Sequence, residues 1–455
     1  MAPDPPSNQF PFIQFLFILL QIFLYFTQNH RMKQGRKKFL KQLGGGLLVA
    51  GIPGIAAATG NAAFDTKDFS GEGAPDDERF WNRIAKKYYR VAPDHINLEN
   101  GYYGIQPKPV LQAFQQNIIT ANEGAARFAR KDFPGIATAV KKELAAFLEV
   151  SDEEIIITRN ATEALNIAIQ GYPFMPGDEV LLNQLDYFSM IETFRMLEKR
   201  GIIKVNAFEM PLLPANEEEI VAMYEKLITE RTKVILLTHV SNINGLIVPV
   251  AKIAAMAKKK GIDIITDSAH ALGQIKFSLP ELGSDFVGLN LHKWMGNPVG
   301  AGLLYIKKGR IKEMKSLFGD VTAPEDNISK LAHFGTTPFA VIMTIPDCLA
   351  FQRMMGIERV AARLHYLKST WLNEIKDIPN LEVVTPSHLS GAIASFRIRN
   401  KTSADVAKYL FEQHNIFTVS RILGKDGCVR VTPAIYNSAD DVKKLVAAIK
   451  ACAGT

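Results

Sequence analysis

The 455-residue chain has few cysteines and lacks the common metal-binding motifs. Its three cysteines, Cys348, Cys428 and Cys452, are too few for a disulfide framework, and no two of them form a CxxC pair. The nine histidines are scattered, and no HExxH sequence occurs. We therefore expect neither a disulfide-stabilised scaffold nor a metal site of the Cys/His type.

The body of the chain also lacks the basic excess that a nucleic-acid-binding surface needs. The formal net charge is +7, but residues 1–63 hold six basic residues against Asp4 alone, a net charge of +5. About +2 remains for residues 64–455. With 47% hydrophobic and 22% charged residues, the chain has a globular composition and is long enough for two or three domains.

The basic residues belong to a leader, residues 1–63. From Met32, a basic stretch precedes the apolar run Leu43–Ala58, whose small residues at its end suit a signal peptidase. The stretch GRKKFLKQLGGG resembles a twin-arginine signal with Arg36-Lys37 in place of Arg-Arg. We therefore expect residues 32–63 to direct export, to the periplasm in a bacterium. An ordinary secretory signal and a cytoplasmic location are the alternatives.

A second apolar run, Phe10–Phe26, precedes this signal and is slightly short for a spanning helix of about 20 residues. It is either a membrane anchor or part of a spurious extension, residues 1–31, before a true start at Met32. We favour the extension, because a second targeting element before a complete signal is redundant. Membrane contact is expected only through the leader.

From Ile155 onward, short apolar runs alternate with helical segments, which predicts an α/β domain with a mainly parallel sheet. We assign this large domain to residues 101–330. A smaller α+β domain follows at 331–455, and residues 64–100 are expected to pack with it; its first long helix is predicted at Ala340–Met355. The predicted strands of the large domain are Ile155–Thr158, Glu179–Asn183, Lys204–Met210, Lys233–Val240, Asp263–Asp267, Phe286–Leu291 and Gly302–Ile306.

Two of these strands lead into residues with ionisable side chains. Asp267 and His270 stand at or after the end of one strand, and His292 and Lys293 follow the next. A buried lysine is costly as a cation, but a Schiff base turns its amine into a tether for a carbonyl cofactor. An aspartate on a neighbouring strand is the usual partner of the ring nitrogen of pyridoxal phosphate. We therefore predict that Lys293 carries this cofactor. The alternative is a lysine that snorkels to the surface.

Two polar turns add candidate contacts. TRNATEALNIAI, Thr158–Ile169, is a strand end followed by a helix start, where free N–H groups and the helix dipole attract a phosphate. The alternative interpretation of this stretch is a plain helix cap. Asn242 follows another buried strand and can donate to a phenolate oxygen, although a simple turn asparagine is the alternative.

The order of these motifs over roughly residues 80–450 resembles the class V aminotransferase family of pyridoxal-phosphate enzymes, fold type I. That family includes cysteine desulfurases, kynureninase and isopenicillin N epimerase. The resemblance implies pyridoxal 5'-phosphate bound to Lys293, with Asp267 on its ring nitrogen. It further implies phosphate contacts from Ala161, Thr162, Asn290 and His292, ring-oxygen contacts from His270 and Asn242, and ring stacking by Tyr187. The family often has serine where Asn290 stands.

The same resemblance extends to the later half of the chain. HFGTTPF implies that Thr336 reaches a neighbouring subunit's phosphate, and hence a homodimer with shared active sites. VRVTPAIYNSADDV implies that Arg430 binds the substrate carboxylate bidentately; a surface salt-bridge partner is the alternative. Asn100, in LENGYYG, matches an early Asn-Gly turn near the substrate, or is a plain turn asparagine.

The expected substrate is an amino acid, with a keto acid if the reaction is transamination. The shared residues do not choose among transamination, epimerisation and elimination. In the family, cysteine desulfurases use a nucleophilic cysteine on a loop before the carboxylate-binding arginine. The corresponding stretch here, Asn415–Gly427, holds no cysteine, so desulfurase activity is not expected. The HKW triplet and the Asp186-Tyr187 pair resemble the isopenicillin N epimerase-like branch. A C–S lyase and a non-catalytic binding protein are the alternatives.

Overall fold

The computed structural model describes residues 64–69, 73–319 and 322–454. The predicted extension, export signal and anchor at residues 10–26 lie outside this range. Within the described residues no single helix has the length and apolarity of a membrane span. The segments Phe339–Met355 and Ile357–Ile375 have that length and apolarity only when taken together, across a 74° bend.

A seven-stranded sheet forms the centre of the fold, in the order β2-β8-β7-β6-β5-β3-β4. Strands β7, β6, β5, β3 and β4 are parallel, and β8 is antiparallel to both of its neighbours, β7 and the edge strand β2. The mainly parallel α/β sheet is confirmed. The strands are β2 (Ile155–Thr158), β3 (Glu179–Asn183), β4 (Lys204–Phe208), β5 (Thr232–Thr238), β6 (Asp263–Asp267), β7 (Phe286–Asn290) and β8 (Gly302–Ile306).

Helices cover this sheet, which explains why its central strands are apolar throughout rather than alternating. The helices up to residue 260 are α1 (Glu78–Tyr88), α2 (Lys108–Arg127), α3 (Phe133–Phe147), α4 (Ala161–Gly171), α5 (Phe188–Lys199), α6 (Glu217–Leu227) and α7 (Val250–Lys259). Helix α4 lies so close to β7 that a Cβ on Gly288 would meet Leu165 Cγ at 2.6 Å. This close approach fixes the N-terminus of α4 beside the ends of the central strands.

The later part of the chain adds a four-stranded antiparallel sheet, in the order β12-β13-β10-β9. Its strands are β9 (Leu381–Val383), β10 (Ala394–Ile398), β12 (Val419–Arg421) and β13 (Cys428–Val431), and its helices are α8 (Phe339–Met343), α9 (Ile345–Met355), α10 (Ile357–Ile375), α11 (Ser403–His414) and α12 (Ala439–Ala453). The short β1 (Ile96–Asn97) pairs in parallel with β11 (Ile416–Phe417). Residues 64–100 therefore contact the C-terminal part. All described residues belong to one compact unit, so the division near residue 330 stays a prediction.

The predicted helix Ala340–Met355 is wrong in one respect, because it is two helices. Helix α8 ends at Met343 and α9 begins at Ile345, with Pro346 in its first turn. Proline has no N–H and disfavours a helical residue before it, so the helix is interrupted there. The Thr344 hydroxyl bonds the Ala340 carbonyl at 2.7 Å, which satisfies a helix-end acceptor.

Candidate active site

A cavity of about 710 Å³ opens at the carboxyl ends of the parallel strands. Asp267 ends β6, Asn290 ends β7, and Thr238 ends β5, so the strand ends deliver polar side chains to one place. Eleven of the twelve predicted site residues line it: Ala161, Thr162, Tyr187, Asn242, Asp267, His270, Asn290, His292, Lys293, Thr336 and Arg430. Asn100 does not.

Lys293 lies at the centre of the cavity, with its amine 3.0 Å from His270 Nε2. Burial lowers the pKa of Lys293 to about 8, Asp267 opposes this effect, and Arg430 adds to it. The amine is therefore uncharged in about a tenth of the molecules at pH 7 and in about half of them at pH 8. An uncharged amine is the form that attacks a carbonyl carbon.

The indole of Trp294 sets the proton position on His270. Its Nε1–H lies 3.3 Å from His270 Nδ1 and can only donate, so Nδ1 is the acceptor. The proton of neutral His270 then resides on Nε2 and points at Lys293. Burial lowers the pKa of His270 well below its usual range, and the Lys293 cation acts in the same direction. His270 is therefore a neutral donor from Nε2.

Asp267 is a buried carboxyl group, and Oδ1 accepts a hydrogen bond from Ala269 N at 2.9 Å. Burial raises its pKa, which the Ala269 N–H and the Lys293 cation oppose. A buried carboxylate is costly unless a charge pairs with it. A protonated ring nitrogen in the cavity would supply that pairing.

The N-terminus of α4 provides the expected anion site. The backbone N–H groups that are free to bind an anion differ from those predicted. Asn290 Oδ1 accepts from Ala161 N at 2.8 Å, and Asn160 Oδ1 accepts from Glu163 N at 2.8 Å. Asn160 O accepts from Ala164 N at 3.2 Å. Among the described residues, the Ala161, Glu163 and Ala164 N–H groups thus have assigned acceptors, and the Thr162 N–H between them has none. Thr162, rather than Ala161, offers its backbone to an anion.

His292 and Asn242 present further polar atoms to the cavity. The Ala301 carbonyl lies 2.7 Å from His292 Nδ1, which therefore carries the proton and leaves Nε2 as an acceptor. Asn242 Oδ1 is buried and has no hydrogen-bond partner within the part of the chain that the structure describes. An unpartnered buried amide is costly, so it fits a site that a polar group completes.

Arg430 is fully buried and already paired. Its Nη2 and Nε bond the two oxygens of Glu99, the latter at 3.3 Å, and its Nη1 donates to the Asn242 carbonyl at 2.9 Å. Burial lowers the pKa of Arg430 to about 10, and Glu99 opposes this effect. Arg430 therefore lines the cavity and is a buried rather than a surface salt-bridge partner, and its role at the substrate carboxylate stays a prediction.

Asn100 lies outside this cavity, whereas Thr336 lines it, and the role of Thr336 at a partner's phosphate stays a prediction. The Asn100 amide donates to the Thr432 carbonyl at 2.9 Å and accepts from Asn97 and Tyr436. These bonds tie the N-terminal segment to the loop after β13, and the substrate role of Asn100 stays a prediction that the cavity lining does not support. Thr336 is exposed and lines the cavity of its own chain.

Sequence reasoning missed Glu99, Arg421, Trp294 and Asp186. Trp294 and Asp186 stood in motifs already singled out, but neither was given a role. Asp186 accepts from Asn183 N and Thr238 N, at 2.8 and 2.9 Å, and holds the ends of β3 and β5 together. Burial raises the pKa of Asp186 to about 7, although the N–H groups that bond its carboxylate act to lower the pKa. The link to β5 has no local sequence signal, because Thr238 is 52 positions from Asp186.

A model of the aminotransferase class-V family matches residues 105–445. The chain therefore belongs to this family of pyridoxal-phosphate-dependent enzymes, and the polar groups described above fit that cofactor. Asp267, the Thr162 N–H and the His270 Nε2–H suit its ring nitrogen, its phosphate and its ring oxygen, respectively.

Similar proteins of two activities span most of the chain. The isopenicillin N epimerase of Streptomyces clavuligerus is 24% identical over 80% of this chain and 96% of its own. The cysteine desulfurase of Serratia proteamaculans is 27% identical over 69% of this chain and 81% of its own. The apo structure of a cysteine desulfurase from Thermococcus onnurineus NA1 superposes with a TM-score of 0.73 and 21% identity, covering 82% of this chain and 98% of that one.

Proposed function

We propose that the chain is a class V aminotransferase-like enzyme of the isopenicillin N epimerase-like branch, and that it acts on an amino acid at Lys293. The observation that carries this proposal is the Lys293 amine, which lies 3.0 Å from His270 Nε2 and interacts electrostatically with the buried Asp267. When bound, pyridoxal phosphate supplies an electron sink for the substrate α-carbon. The residues of the chain supply the binding and the proton transfers.

Asp267 holds the ring nitrogen and pairs with its charge. His270 donates from Nε2 toward the ring oxygen, with the Asn242 amide beside it, and Tyr187 covers the ring. The Lys293 amine, once free, removes and returns the α-proton, because a pKa of about 8 suits both directions near neutral pH. Arg430 orients the substrate carboxylate.

The cysteines argue against desulfurase activity. Cys348 and Cys452 are buried in α9 and α12, and Cys428 is buried in β13; none lines the cavity. Burial raises the pKa of Cys428 to about 11, so its thiol is not the reactive thiolate. A C–S lyase that needs no cysteine nucleophile is the second candidate. Export through the leader and a homodimer with Thr336 at a partner's phosphate are further parts of the proposal.

The test is a panel of amino acids, each supplied with and without a keto acid. Keto product, sulfide, ammonia and optical rotation are followed separately. Keto-acid-dependent turnover establishes transamination, and loss of rotation without other product establishes epimerisation. Keto acid with ammonia or sulfide, formed without a co-substrate, establishes the lyase. A protein that takes up no cofactor contradicts the enzyme proposal and favours a binding role.

A further inference from the structure

Two arginines in the cavity wall share one internal carboxylate. Glu99 bonds the guanidinium of Arg430 through both oxygens, and Arg421 Nη2 lies 3.5 Å from Glu99 Oε1. Arg421 and Arg430 both line the cavity, whereas the Glu99 side chain is only 7% exposed. We call Glu99, Arg421 and Arg430 the arginine cluster. It brings two positive charges and one negative charge to the cavity wall.

The backbone around Glu99 holds its carboxylate in place. Glu99 bridges Thr432, Asn100 N donates to the Thr432 carbonyl at 3.2 Å, and Thr432 N donates to the Leu98 carbonyl at 2.7 Å. Gly101 follows directly, and a Cβ there would meet Arg430 Nη2 at 2.9 Å. The turn thus packs against the same guanidinium that Glu99 bonds through both oxygens. We therefore treat Glu99 as a permanent member of the cluster.

Donors nevertheless remain for a ligand. A guanidinium has five N–H groups, and the bonds to Glu99 and Asn242 use three of those on Arg430. Arg421 Nε is buried without a hydrogen-bond partner among the described residues. An orphaned charged donor is costly, so the cluster is complete only when another acceptor binds. The one uncompensated positive charge matches a single carboxylate.

We propose that Glu99 is a specificity-determining residue, which limits the arginine cluster to one singly charged carboxylate shared by Arg421 and Arg430. This inference rests on the proposed function, since it concerns the carboxylate end of an amino-acid substrate. It adds to that function a built-in charge balance. Glu99 repels any bound anion in proportion to its charge, so its presence costs a doubly charged group about twice what it costs a single carboxylate.

The test compares acetate and sulfate binding, by calorimetry, to the cofactor-loaded protein and to Glu99→Gln. Glutamine keeps the size of Glu99 and one of its two acceptor oxygens, and removes its charge. Acetate should bind at least tenfold more tightly to the variant. Because Coulomb energy scales with charge, the logarithm of the gain for sulfate should be about twice that for acetate. The cofactor-loaded protein is used because the cofactor then occupies the anion site at Thr162. The added anion is left with the arginine cluster.

Glu78→Gln is the matched control, because Glu78 forms an ion pair with the fully buried Arg363 and lines no part of this cavity. It should leave both affinities unchanged. If Glu99→Gln does not fold, Arg421→Gln gives an independent test: the cluster then has no net charge, and acetate should bind at least tenfold more weakly. Unchanged anion binding in either folded variant overturns the inference. A protein that takes up no cofactor contradicts the proposed function instead, so the two failures are distinct.

Discussion

The hydrogen bond from Trp294 to His270 makes a quantitative prediction about Lys293. With Trp294 donating to Nδ1, His270 presents an N–H to the Lys293 amine at 3.0 Å, and only the uncharged amine can accept it. Trp294→Phe keeps an aromatic ring but removes this donor. His270 can then carry its proton on Nδ1 and accept from the lysine ammonium at Nε2. The variant therefore favours the charged lysine.

A neutral hydrogen bond is worth about 1 kcal/mol, and one pKa unit corresponds to 1.36 kcal/mol. We therefore expect the pKa of Lys293 to rise from about 8 by roughly 0.7 pH unit in Trp294→Phe. The assay is competitive acylation of the cofactor-free protein across pH 6–11, with the Lys293 peptide quantified by mass spectrometry.

Trp371→Phe is the matched control, because Trp371 is fully buried away from the cavity and its indole nitrogen has no partner among the described residues. The labelling profile of Lys293 should not move in this variant. The reasoning fails if Trp294→Phe leaves the profile unchanged or lowers the pKa. It fails equally if both tryptophan variants shift it by the same amount.

Two further substitutions test the surroundings of the site. Asp267→Asn should lower the pKa of Lys293 in the same acylation assay, because the Asp267 carboxylate opposes the effect of burial; a raised pKa would contradict this. Gly302→Ala would place a Cβ 2.5 Å from Asn160 backbone atoms. We expect it to lower the free energy of unfolding in urea by about 1–3 kcal/mol and to weaken cofactor binding. Gly309→Ala, which meets open space, should change the free energy of unfolding by less than about 0.5 kcal/mol, and equal effects of the two would refute the packing argument.

The sheet and most of the site were predictable because their signals are local. The runs at Ile155–Thr158, Asp263–Asp267 and Gly302–Ile306 are bounded by turn residues, and the structure has strands with those bounds. Since parallel strands end at one edge of a sheet, the polar residues after them had to meet there. Predicting which strands end in Asp267 and Lys293 was therefore enough to bring these two residues together.

Pairings between distant segments were not predictable in the same way. Glu99 and Arg430 are 331 positions apart, and nothing in LENGYYG indicates that its glutamate faces the arginine. The bond between Asn290 and Ala161 N likewise depends on α4 packing against β7. The break at Thr344 had a local signal in Pro346, which the apolar pattern of the segment obscured.

The central claim is that Lys293 carries the cofactor, and borohydride reduction of the purified protein tests it most directly. Lys368 is the matched control, because burial lowers its pKa to about 8 as well, yet it lies outside the cavity and bonds Ser390 Oγ at 3.0 Å. We predict that peptide mapping finds the pyridoxyl group on Lys293, that Lys293→Ala loses both the label and the yellow colour, and that Lys368→Ala keeps both. A label on Lys368 or another lysine, or colour that survives reduction in Lys293→Ala, would contradict the account.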